Sequence, residues 1–152
     1  MTDNARRVSH NRVVRLLAVS ALLLVTSACG DGRKPTYPVR AEVYVDGKPA
    51  HELQVYFHPA EGAEKGGRSL YGMTNEQGVV SMNTYVAGDG VPAGEYIVTF
   101  EWCERGKGFQ QANFTGPDRL KGKYANLKDS KFRVTVEKKP KELDRFELTT
   151  GK

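Results

Sequence analysis

Apolar residues in this chain return at every second position, in short runs, and that rhythm narrows the choice of fold more than any other feature. Tyr37, Val39, Ala41, Val43 and Val45 fall on one side of an extended segment, with Arg40, Glu42 and Tyr44 on the other. Leu53, Val55 and Phe57 repeat the pattern against Gln54, Tyr56 and His58. Tyr96, Val98, Phe100 and Trp102 make the densest such face, and Phe132, Val134 and Val136, then Phe146 and Leu148, close the series. Successive side chains of a strand point to opposite faces, so a period of two marks strands buried on one side.

Turn chemistry separates the runs. Asp46-Gly47 suits a tight hairpin turn, which needs positive φ. Asn75-Glu76-Gln77-Gly78 reads as a turn between a strand at Ser69–Thr74 and another at Val79–Thr84. Ala87–Gly94 is a Gly- and Pro-containing connection, and residues 60–68 and 104–130 are irregular. No helix is expected after residue 28, and there is neither a repeat nor a second core. The expectation is an all-β domain over residues 37–152, an antiparallel two-sheet β-sandwich of about seven strands with Trp102 and Tyr96 in its core.

The first 28 residues follow other rules. Arg6, Arg7, Arg12 and Arg15 precede an apolar stretch from Leu16 to Val25, and the small residues Thr26, Ser27 and Ala28 lead into Cys29. A basic start, a short apolar core and a small-residue exit are the parts of a secretory signal peptide. The apolar stretch is shorter than the ~20 residues that span a bilayer. Residues 1–28 are therefore read as a cleaved leader, with the cut between Ala28 and Cys29. The precursor holds 23 basic and 18 acidic residues; losing four Arg and one Asp leaves 19 and 17, a net charge of +2. The high pI of about 9.2 thus owes much to the leader, and a nucleic-acid-seeking domain is not indicated.

Val25-Thr26-Ser27-Ala28-Cys29 resembles a lipobox, the site at which bacteria attach diacylglycerol to a cysteine. It matches at Ser27, Ala28 and Cys29 and departs at Thr26, where the family prefers Leu. The resemblance implies lipidation of Cys29, and Gly30 after it, in place of Asp, implies an outer-membrane or cell-surface address. Residues 29–36 then form the lipidated cysteine and a polar tether. With Cys29 acylated, Cys103 has no cysteine to pair with.

Four further segments resemble one family in order. They are Val45-Asp46-Gly47-Lys48-Pro49 with Val55-Tyr56-Phe57-His58-Pro59, then Thr74-Asn75-Glu76-Gln77-Gly78. Gly88-Asp89-Gly90-Val91-Pro92-Ala93-Gly94-Glu95-Tyr96-Ile97-Val98 follows, and Lys123-Tyr124-Ala125-Asn126 with Ser130 comes last. As a set they resemble the small lipoproteins of planctomycete bacteria, whose domain is similar to the transthyretin-like (prealbumin-like) regulatory sandwich of carboxypeptidases. The resemblance implies a prealbumin-like fold and a lipoprotein attached to the envelope, and no defined activity.

Candidate chemistry is sparse. His51 and His58 differ in strand parity, so they do not converge on a metal, and neither a metal nor a cofactor is expected. No nucleophile, phosphate-loop or calcium-loop motif occurs, no catalytic residue is assigned, and Cys103 reads as a structural thiol. Tyr44 and Tyr56 are candidate ligand contacts, with cross-strand pairing as the plainer reading. Arg119, Lys121, Lys123, Lys128, Lys131 and Arg133, interrupted by Asp118 and Asp129, read as a solvated face. The function expected is a non-enzymatic envelope protein with a binding or structural domain. Its partners are the membrane, through the lipid, and envelope proteins or polysaccharide. A carbohydrate-binding accessory module is the alternative, and a hydrolase using Cys103 and a histidine comes third.

Overall fold

The computed structural model describes residues 32–61, 69–106 and 116–151. The leader, Cys29, the start of the tether and parts of the two irregular stretches lie outside the described residues. The strands in chain order are β1 (Thr36–Tyr37), β2 (Val39–Val45), β3 (Lys48–Pro49), β4 (Gln54–Pro59), β5 (Leu70–Met73) and β6 (Val79–Ser81). Then come β7 (Val91–Pro92), β8 (Gly94–Glu101), β9 (Arg133–Val136), β10 (Lys141–Glu142) and β11 (Phe146–Leu148). Among the described residues there is no helix. The fold is all-β and its pairings are mostly antiparallel.

β2 is the axis of one sheet. Val39, Ala41, Val43 and Val45 are buried, while Arg40 is exposed and Glu42 and Tyr44 are half-buried, as their alternation requires. On one side β2 meets β6 at Arg40–Glu42 and β3 at Tyr44–Val45, both antiparallel. Its other side is bordered first by β10 and then by β11, and both run parallel to it. A purely antiparallel arrangement is thus corrected. Residues 46–140 separate β2 from β10, far more than the dozen or so that a parallel crossover requires. Among the described residues eleven short strands, four of them only two residues long, stand in place of about seven, and β1 with β7 makes a small third sheet in place of the two expected.

The second sheet is antiparallel in the order β5-β4-β8-β9. β8 is an inner strand with β4 and β9 on either side. Its Tyr96, Val98 and Phe100 are buried, but Trp102 lies past the end of the strand and is only half-buried, so it does not join the core as expected. β6 was expected to pair with β5. Only isolated bridges join the two segments, Thr74 just past β5 with Val80 and Tyr71 with Asn83 just past β6, and β6 gives its ladder to β2 instead.

The buried faces of β2, β4, β8, β9 and β11 share one hydrophobic cluster. Its densest part is aromatic: Phe100 meets Phe132, Phe146 and Tyr124 edge-on, with ring centroids 5.2, 5.1 and 6.4 Å away. Such edge-to-face pairs add about 0.5–1.5 kcal/mol each to the burial of the rings themselves. Leu120 completes the cluster from the irregular stretch. Asp118 folds that stretch inward by accepting the backbone N–H groups of Trp102, Leu120 and Gly122.

Candidate functional site

The outward face of the sheet β5-β4-β8 gathers the chemistry-bearing side chains. Register places Tyr56 of β4 between Tyr71 of β5 and Thr99 of β8. His58 lies two residues further along β4, and its ring is held between two hydroxyls. Ser69 Oγ is 2.8 Å from Nδ1 and Thr99 Oγ1 is 2.7 Å from Nε2. A neutral imidazole has one N–H, so it donates to one of these hydroxyls and accepts from the other. Burial pushes the His58 pKa below its ordinary value, which favours that neutral form. Thr99 is 2 % exposed and Gln54 3 %, so this face is itself partly covered.

Neighbouring groups extend the cluster along the sheet. The Tyr56 and Tyr71 rings lie 5.5 Å apart, and Tyr56 and His58 6.3 Å apart. Burial, reinforced by the Glu101 carboxylate, pushes the Tyr56 hydroxyl up to about 12. Gln54 uses both ends of its amide: Nε2 donates to Glu52 O at 2.9 Å, and Oε1 accepts from Cys103 N at 3.1 Å. Burial, then Glu101 and Asp118, push the Cys103 thiol up, so it stays protonated near neutrality and is a poor nucleophile.

The hydrogen bonds of His58 link β4 to β8 and to Ser69 just before β5. Ser69 and His58 stand at the distance of a nucleophile and its base, but the group on the other side of the ring is a hydroxyl. Cys103 bonds beside Gln54, four residues from His58 along β4, which is roughly 13 Å of extended chain. Cys103 and His58 are therefore not paired. His51 is exposed in the turn before β4, and its carbonyl accepts the Trp102 indole N–H at 2.9 Å. Among the described residues no three His, Cys, Asp or Glu side chains are placed to hold a metal ion.

Tyr44 and Tyr56, the two candidate ligand contacts, lie on different sheets and do not form one row. Arg145 covers the Tyr44 ring at 4.0 Å, as Arg119 covers Trp102 at 4.9 Å. The basic stretch is also partly engaged, since Lys123 donates to Thr149 Oγ1 at 2.8 Å. Ser69 and Thr99 went unnoticed in the sequence. They stand 11 and 41 positions from His58, and only strand register brings them to it.

The family-like segments, by contrast, are accounted for by contacts within the fold. Asn75 Oδ1 accepts the N–H groups of Gln77 and Val79, and Gly78 O accepts from Val43 N. Asp89 accepts from the N–H groups of Thr84, Tyr85 and Val86. Desolvation opposes ionisation there, but these bonds outweigh it and hold the carboxyl below its ordinary value. Ser130 Oγ donates to Val98 O at 2.5 Å, and Tyr124 OH accepts from Thr149 N at 3.0 Å. Among known families no model matches this chain, and no curated protein matches it.

Proposed function

We propose that this chain is an exported bacterial envelope protein, anchored by a lipid on Cys29. Its residues 37–152 form a mostly antiparallel, prealbumin-like two-sheet sandwich that binds or spaces other envelope components without catalysis. The address rests on the leader and on the position of Cys29 directly after Thr26-Ser27-Ala28. The sandwich reading is supported by the single core shared between the β2 sheet and the β4–β8 sheet. The observation that carries the non-catalytic reading is where the polar side chains point. Asn75, Asp89, Asp118 and Ser130 all turn onto the backbone of this domain, and His58 is engaged on both nitrogens.

Cell fractionation tests the proposal. The wild-type chain is expected in the membrane fraction and Cys29→Ser in the soluble periplasmic fraction. Equal membrane partition of both would remove the lipid anchor from the account.

A further inference from the structure

Among the described residues, the β2 sheet and the β4–β8 sheet leave one flank open. β9 is the outer strand of its sheet, and β10 with β11 forms the outer edge of the other. A cleft of about 390 Å³ lies between them, walled by Arg133–Thr135 on one side and Lys141–Arg145 on the other, with Phe132 and Phe146 among its lining. We propose that this cleft takes an extended segment of a partner protein as an added strand on β9, and that the segment alternates apolar and acidic residues. The inference rests on the binding reading above and names the kind of partner.

Hydrogen-bond parity along β9 provides the backbone half of the site. Val98 N donates to Phe132 O, and Tyr96 and Gly94 face Val134 and Val136, so the even-numbered residues bond to β8. Arg133 and Thr135 therefore aim their N–H and C=O groups away from β8, toward the cleft. The Thr135 carbonyl accepts from Lys141 Nζ at 2.8 Å. A lysine reaching over a strand edge blunts it against indiscriminate pairing, and such a side chain can swing aside for a better-matched strand. An edge of this kind captures extended peptides through main-chain bonds, and alternate side chains set the specificity.

The side chains of β9 define that specificity. Val134 and Val136 are buried, and Phe132 is half-buried against Phe100 and Phe146. An incoming strand would set every second residue beside these, so those residues are apolar. On the other face Lys131, Arg133 and Thr135 are exposed, and Lys128 lies beside Arg133 at an adjoining depression. Among the described residues no carboxylate lies within ion-pair distance of Lys128, Lys131 or Arg133. The residues of the partner that face these cations are therefore acidic, since opposite charges across a strand pair stabilise it and like charges oppose it. The far wall carries Lys141 and Arg145 as well as Glu142 and Asp144, so its charges balance and the preference for acidic residues is set from the β9 side.

The test titrates the full chain, purified in detergent, into a fluorescein-labelled peptide of about seven residues alternating Val and Glu. Anisotropy is expected to report binding that weakens about tenfold or more in Arg133→Glu and is kept in Lys48→Glu, a charge change on β3 away from the cleft. The Val–Lys version of the peptide should bind Arg133→Glu better than the wild type. Replacing the central residue of the peptide with Pro should abolish binding, which separates an added strand from mere charge attraction. No binding at millimolar peptide, or binding indifferent to Arg133→Glu, overturns the proposal. Self-association by light scattering that the peptide does not compete away also overturns it, and would make a second copy the occupant. Either result leaves the lipid anchor intact, because fractionation of Cys29→Ser reads that separately.

Discussion

Asp89 and Gly90 show how a short segment is specified at single residues. Asp89 gathers three consecutive N–H groups, and Gly90 at φ +85° passes so close to β1 that an added Cβ would sit 1.8 Å from Tyr37 O. Gly90→Ala is therefore expected to cost about 3 kcal/mol or more, from left-handed strain plus a backbone clash, read as a shift in urea midpoint. At Gly47 an added Cβ meets nothing within 4 Å, so Gly47→Ala should cost only the φ strain of its turn, about 1–2 kcal/mol. His58 gives a pH signature. Its folded-state pKa lies below the ordinary value of 6.5 because burial disfavours the imidazolium. The unfolded chain then binds the extra proton first, so the contribution is full above 6.5 and is lost as pH falls through that value toward the folded one. The wild type should lose more stability than His58→Gln between neutral pH and about pH 5 in urea unfolding. Parallel loss in both would assign the acid sensitivity to other groups.

Among the elements, β8 anchors the core. It lies between β4 and β9, and its Phe100 touches three aromatic rings. Phe100→Ala should cost about 3–5 kcal/mol by urea unfolding, while Tyr44→Ala, whose half-buried ring stacks under Arg145, should cost nearer 1 kcal/mol. Equal losses would mean that the inner and outer faces are misassigned. The inner faces of β2, β4, β8 and β9 were legible in the sequence because large apolar residues recur at every second position of each, although Gln54 and Thr99 are also buried on the opposite face of β4 and β8. β10 was not legible. Lys141-Glu142 carries no apolar signal and is placed by its chain neighbourhood, with Lys141 N on Pro38 O and Leu143 N on Arg40 O. Leu120 was hidden for a similar reason, as a lone apolar residue in a charged stretch that becomes core only because Asp118 turns the backbone inward. The Ser69–His58–Thr99 cluster was invisible because its members meet only after β4 has paired with both β5 and β8.

At the scale of the whole molecule, residues 29–152 are nearly charge-balanced and residues 1–28, the proposed leader, are basic. The described domain turns Asp89, Asp118 and Ser130 onto its own backbone, and the outer edge of β9 borders a cleft whose far wall is charge-balanced. That combination fits the proposed role of an anchored protein that binds or spaces other components. The proposed prealbumin-like resemblance and the lipobox-like run point the same way from independent parts of the chain, residues 45–130 and 25–29. The anchor is the claim on which the functional account depends, and the mass of the first peptide of the mature protein tests it most directly. Protein isolated from bacterial membranes is digested, and the N-terminal peptide is weighed. The account predicts a chain that begins at Cys29 and carries a thioether-linked diacylglycerol on the sulfur. An unmodified Cys29, or a mature chain that begins anywhere else, would contradict it.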